Sequence, residues 1–199
     1  MSFKKPPRKT VPGYTRFRSA QSVVPRLRKE PDELTRKMLL IGYLTEKLER
    51  EKPESVYVVG GQALETYTAG QFRTGDIDIA TPDSKAAEEI LQQIGFEREG
   101  TIWLSNALGL AVHIVGLSPT NSEKARIIHA GPYQVRIVGV EDLIIDRLAA
   151  AKFWKSQVDL EQAKALWKGF RKQIDLQYLR KRAREEKVED VLPKAEERC

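Results

Sequence analysis

Asp76 and Asp78 are separated by a single isoleucine in Asp76-Ile77-Asp78-Ile79. In a strand, residues i and i+2 share a face, so the two carboxylates point the same way while Ile77 and Ile79 turn into the core. Carboxylates held side by side repel each other, a cost that a cation between them removes. Mg²⁺ suits such a pair, because it takes few protein carboxylates and completes its shell with water and phosphate oxygens; Mn²⁺ is the second candidate. Upstream, Gly60-Gly61 closes the apolar run Val56-Tyr57-Val58-Val59. That turn offers phosphate an open backbone, with helix amides aimed at it. Arg73 can grip a phosphate oxygen with two donors or pair with a nearby acid, and Thr74 can bond the turn or a phosphate. The plainer alternative is a tight strand-to-helix turn followed by solvated acids.

The elements that must position these residues follow from periodicity. Leu34, Met38, Ile41, Leu44 and Leu48 step at three or four residues behind the N-cap candidate Asp32, which predicts an amphipathic helix over 33–50. The β-branched run before Gly60 predicts a buried strand, followed by a short helix over 62–69 that Gly70 stops. A helix over 85–94 is capped by Ser84 and ended by Gly95. Strands over 96–104, 110–116 and 133–138 precede helices over 141–155, 158–169 and 174–187. Alternating α and β followed by helices predicts an α/β (α+β) fold with a mixed β-sheet flanked by helices and a helical C-terminal extension. Three regions are expected: a basic arm over 1–30, a core over 31–139 and a helical region over 140–199.

With these residues in order, the chain resembles the DNA polymerase beta-like nucleotidyltransferase superfamily. Gly60-Gly61-Gln62-Ala63-Leu64 and Arg73-Thr74-Gly75-Asp76-Ile77-Asp78-Ile79 carry the likeness, and Val140-Glu141-Asp142-Leu143-Ile144 extends it. The pattern is similar to that of small prokaryotic proteins reading Gly-Gly-x-Ala-Leu and then Arg-Thr-x-Asp-Ile-Asp, which include toxin-type members of toxin–antitoxin pairs. The likeness spans roughly residues 35–168. It implies transfer of a nucleoside monophosphate from an NTP, ATP among them, to an acceptor hydroxyl of RNA, protein or a small molecule. Gly60, Gly61, Arg73 and Thr74 would bind the nucleotide, and Asp76 and Asp78 the metal. The other class of reading is a catalytically degenerate module that binds nucleotide, RNA or protein.

The resemblance also implies a third acid on a later strand. The matching segment here is Leu110-Ala111-Val112-His113-Ile114-Val115-Gly116, whose one polar side chain is His113. A neutral imidazole can act as general base or ligate a metal softer than Mg²⁺; alternatively, it marks a lost acid and a weak site. Glu99 and Asp83 are the spare carboxylates nearest in sequence.

Composition sets the remaining bounds. With 199 residues and 41% apolar side chains, the chain can bury a proper core. No apolar run has membrane-spanning length and no signal-peptide pattern opens the chain, so a cytoplasmic protein without membrane association is expected. Cys199 is the one cysteine, which leaves no internal disulfide. The net charge of +6 is unevenly placed, since residues 1–30 carry nine Lys or Arg against one acid, Glu30. That proline-containing arm reads as extended; with Tyr14 and Phe17 among its bases it suits a nucleic-acid backbone or a solvated tail. His129 reads as a loop residue before Ala130-Gly131-Pro132. Gln62 reads equally as a ligand contact or a surface amide. Glu141, Asp142 and Asp146 read as helix-dipole acids, and Phe153, Trp154 and Trp167 as core. Arg180, Lys181, Arg182 and Arg184 read as a solvated face.

Overall fold

The computed structural model describes residues 20–50, 56–116 and 123–192. The first nineteen residues of the basic arm, with Tyr14 and Phe17, and Cys199 lie outside them. Helices α1 (Ala20–Lys29), α2 (Glu33–Leu48), α3 (Gly60–Tyr67) and α4 (Ser84–Gln93) alternate with strands β1 (Tyr57–Val58) and β2 (Ile77–Ala80). Strands β3 (Glu97–Glu99), β4 (Ile102–Ser105), β5 (Leu110–Ile114), β6 (Arg126–Ala130) and β7 (Tyr133–Ile137) follow. Helices α5 (Val140–Phe153), α6 (Gln157–Phe170) and α7 (Leu176–Glu185) close the described chain, with a short 3₁₀ turn at Glu189–Val191.

The described strands form one mixed sheet in the order β3-β4-β5-β2-β1-β7-β6. The mixed α+β architecture expected from the sequence is the one observed. β1 runs antiparallel to β2 and parallel to β7, and β2 runs parallel to β5. Val56, Val58, Ile77, Ile79, Val112, Val135 and Ile137 are fully buried, which accounts for the near-continuous apolar character of the central strands. α2 lies against β7 and β6, and its Leu40, Ile41 and Leu44 complete that side of the core. Asp32 caps α2 as expected, its carboxylate accepting from the Thr35 amide at 2.7 Å. Among the described residues no helix is long and apolar enough to cross a membrane.

Several elements differ from expectation. The segment 96–104 is a hairpin rather than one strand, because the chain turns at Gly100-Thr101 between β3 and β4. Helix α4 is capped one residue earlier than expected: Asp83 accepts from the Ala86 amide at 3.2 Å. β6 is an additional edge strand, and His129 sits on it opposite Gln134 instead of in a loop. Its alternation is hard to see because Ile127 faces outward, 56% exposed. The arm, expected to be extended, contains α1. Val23 and Leu27, four residues apart, are fully buried in the main core, and Arg28 Nε donates to the Ala107 carbonyl at 3.3 Å.

Residues 20–29 therefore belong to the folded body. Leu27→Ala should cost ~2–5 kcal/mol, the range for emptying a buried leucine site. Deleting residues 1–30 should lower the denaturation midpoint sharply below that of a chain lacking residues 1–19, since only the longer deletion removes α1. Equal midpoints for the two truncations in chemical denaturation would show that α1 contributes nothing to the core.

Candidate functional site

The short β1 strand ends beside the middle of β2, with Val58 opposite Ile79. The Val59 amide donates to the Asp78 carbonyl at 3.1 Å, so the Asp78 side chain lies over the turn that opens α3. There the Gly61 amide donates to Asp78 Oδ2 at 2.9 Å. Gly60 has φ of +55°, a left-handed conformation open to glycine, and a Cβ there would stand 2.6 Å from Asp78 Oδ2. A Cβ on Gly61 would stand 2.7 Å from Thr74 Oγ1. Both glycines are thus required by how closely the backbone approaches these two side chains.

The other side of the site comes from β5. Its parallel pairing with β2 sets His113 directly against Asp78, on the same face of the sheet. His113 Nδ1 lies 3.2 Å from Asp78 Oδ1. Thr74 donates its hydroxyl to Asp76 Oδ1 at 3.0 Å and so fixes the second carboxylate. Candidate ligand atoms of Asp76, Asp78 and His113 lie within 4.8 Å of one another. Burial and then the neighbouring Asp76 charge push the Asp78 carboxyl above its ordinary value, against the opposing pull of His113 and the Gly61 amide. Two carboxylates and an imidazole converging at a cost in charge repulsion form a donor set that fits a divalent cation.

The remaining sequence candidates divide clearly. Arg73 is exposed on the loop before β2. Its charge adds to the hydrogen bonds from Thr35 that hold the Asp32 carboxyl below the usual range. Gln62 is fully buried, not at the surface; its Nε2 donates to Thr66 at 3.3 Å while Oε1 has no partner. Asp83 caps α4 and Glu99 is exposed on β3, and neither joins the cluster. Trp167 is core as expected, but Phe153 and Trp154 are 58% and 84% exposed at the turn between α5 and α6. Glu141 and Asp142 tie α5 to α7: Glu141 accepts the Asp175 amide at 2.9 Å, and Asp142 accepts Tyr178 Oη and Arg182 Nε. Arg182 consequently points inward, unlike the solvated face expected of it.

Lys37 is the residue that sequence reasoning missed. It is 1% exposed, and its ammonium reaches Glu65 Oε2 at 2.9 Å, the Thr74 carbonyl at 2.7 Å and Glu33 Oε1 at 3.1 Å. One side chain of α2 therefore clamps α3 to the loop that carries Arg73, Thr74 and Asp76. The signal was present, since Lys37 falls on the apolar stripe between Leu34 and Ile41 where a charge has no solvent to face.

No family model matches the chain, and no curated protein matches it in sequence. Its structure is similar to the solution structure of the antibiotic-resistance factor ANT(2'')-Ia. The TM-score is 0.47 at 16% identity, over 76% of this chain and 90% of that one. At that level of likeness, the functional reading stands on this chain's own residues.

Three substitutions, one at the turn and two at the buried ion pair, test the geometry. Gly60→Ala should cost ~1–2 kcal/mol from the left-handed backbone alone, and more from the approach to Asp78. Lys37→Met should cost ~3–5 kcal/mol by leaving Glu65 buried without its cation, and a second change, Glu65→Leu, should recover part of that loss. Urea denaturation reads them all, and a double variant no more stable than Lys37→Met would refute the clamp.

Proposed function

We propose that this chain is a nucleotidyltransferase that moves a nucleoside monophosphate from an NTP to an acceptor hydroxyl. The observation that carries the proposal is the convergence of Asp76, Asp78 and His113 beneath the Gly60-Gly61 turn, in a motif order resembling that of the polymerase beta-like superfamily. A divalent cation held by Asp76 and Asp78, Mg²⁺ or Mn²⁺, supplies neutralisation of the phosphate charge. The residues themselves do the rest by positioning. Gly60 and Gly61 let the turn close onto Asp78 and Thr74, which sets the metal-binding carboxylate against the start of α3, and exposed Arg73 offers two donors to phosphate oxygens. Thr74 holds Asp76 in place, and Lys37 holds Thr74.

In the reaction the acceptor oxygen bonds to the α-phosphorus and the bond to the β-phosphate breaks. Pyrophosphate leaves with that bond's electrons, and the acceptor proton passes to a base or to solvent. Catalysis of this kind depends mainly on alignment and charge neutralisation, which suits a site with few reactive groups. RNA is an acceptor compatible with the basic arm, where residues 1–19 carry six of the nine bases. A second reading, nucleotide binding without transfer, draws on one feature: the place of the third acid is taken by His113.

Asp76→Asn combined with Asp78→Asn should abolish Mg²⁺- or Mn²⁺-dependent NTP binding in calorimetry while the protein stays folded, since the change removes a like-charge repulsion. Undiminished metal-dependent binding in that variant would overturn the site. Incubation of the native protein with each labelled NTP, a divalent cation and a mixture of tRNA and protein separates the two readings: label transfer marks the enzyme, and binding without transfer the module.

A further inference from the structure

We infer that His113 is a direct ligand of the cation and that it moves the preference of the site from Mg²⁺ towards a first-row transition ion, Mn²⁺ in a nucleotide-processing site. The inference rests on the reading above in taking Asp76 and Asp78 as the carboxylates that hold the cation.

The geometry supports ligation. Adjacent ligand atoms in an octahedral shell with bonds of about 2.1 Å are about 3 Å apart. His113 Nδ1 and Asp78 Oδ1 already stand 3.2 Å apart, and the cluster with Asp76 spans no more than 4.8 Å. The register of β2 on β5 fixes this proximity through the backbone rather than through a flexible side chain. His113 also stands on a strand whose Leu110 and Val112 are buried, so the imidazole is steered to the face that carries the carboxylates.

The chemistry then sets the ion. Mg²⁺ is a hard cation that selects oxygen ligands and retains its waters, so an imidazole nitrogen adds little to its binding. Imidazole suits the later first-row ions such as Zn²⁺ best, and Mn²⁺, lowest in the Irving–Williams order and close to Mg²⁺ in its liking for oxygen, is the first of the series to gain from a nitrogen ligand. Two carboxylates alone give the oxygen-rich ligation that Mg²⁺ shares with Mn²⁺; the third position decides between them. A histidine there withholds the charge a hard ion needs and supplies the donor a softer ion uses.

The test uses the full chain without nucleotide. Mg²⁺, Mn²⁺ and Zn²⁺ are titrated by calorimetry into the native protein, His113→Ala, His113→Asp and the double Asp76→Asn/Asp78→Asn variant, and free Mn²⁺ is followed by its paramagnetic resonance signal. Circular dichroism verifies that each variant is folded. His113→Ala should lose at least the roughly 10–100-fold in Mn²⁺ affinity that even an outer-shell partner supplies, with Mg²⁺ affinity little changed. His113→Asp should narrow the Mn²⁺-to-Mg²⁺ gap by strengthening Mg²⁺. A Mn²⁺-to-Mg²⁺ ratio in His113→Ala equal to the native one, with both ions lost in the double aspartate variant, would overturn histidine ligation and leave the cation site standing. Native protein that binds none of the three ions would overturn the cation site and the inference together.

Discussion

A carboxylate tucked under a glycine turn and set against a second carboxylate is the constraint on which this structure depends. Asp78 accepts from the Gly61 amide and faces His113, while burial and then the nearby Asp76 charge raise its affinity for a proton. Each of those contacts comes from a different element: α3, β5 and the loop before β2. If α3 moved, the one backbone donor would be lost; if β5 slipped by one residue, His113 would turn to the opposite face. The pairing register and the absence of side chains at two consecutive positions are therefore one requirement met twice.

The rest of the molecule holds those elements at the required distance. Lys37 links the underside of α2 to Glu65 of α3 and to the Thr74 carbonyl, so the helix and loop that flank Asp76 share one buried cation. At the far end of α3, Tyr67 donates to the Val138 carbonyl at 2.7 Å and meets the Phe170 ring edge-on. Arg126 of β6 covers both rings, 5.9 and 5.4 Å from their centroids. The C-terminal helices thus brace the helix that presents Gly61, and Asp142 with Arg182 and Tyr178 joins α7 to that brace. Ion pairs of this buried kind are costly to desolvate and weak as net stabilisers; their value lies in fixing which elements touch.

What could be read from the sequence was what depends on local spacing. The i, i+2 relation of Asp76 and Asp78, the apolar run into Gly60, and the helical stripe behind Asp32 each follow from a single period, and each stands where that period put it. His113 was legible as the polar residue of an apolar strand, and the resemblance set it at the third position beside Asp76 and Asp78; its direct pairing with Asp78 was not, because register between distant strands has no local signature. The same limit hid β6, an edge strand with its isoleucine outward. α1 was masked by surrounding charge: two buried residues, Val23 and Leu27, outweigh the bases around them once α2 provides a surface. Phe153 and Trp154 misled in the other direction, since composition names them core while the end of α5 leaves them in solvent.

The imidazole at position 113 also changes the electrostatic balance of the site. A third carboxylate 3.2 Å from Asp78 would add a repulsion of about 5 kcal/mol at an effective dielectric of about 20, reduced by the partial exposure of the cluster. A neutral histidine removes that repulsion and leaves the metal-free fold easier to hold. The same exchange removes a larger attraction for an incoming divalent cation, which carries twice the charge and would sit closer. A hard ion bound mainly by charge loses most from the exchange, whereas an ion that forms a favourable bond to nitrogen regains part of it. On the proposed reading of the site, stability without metal and selectivity among metals are set by the same side chain.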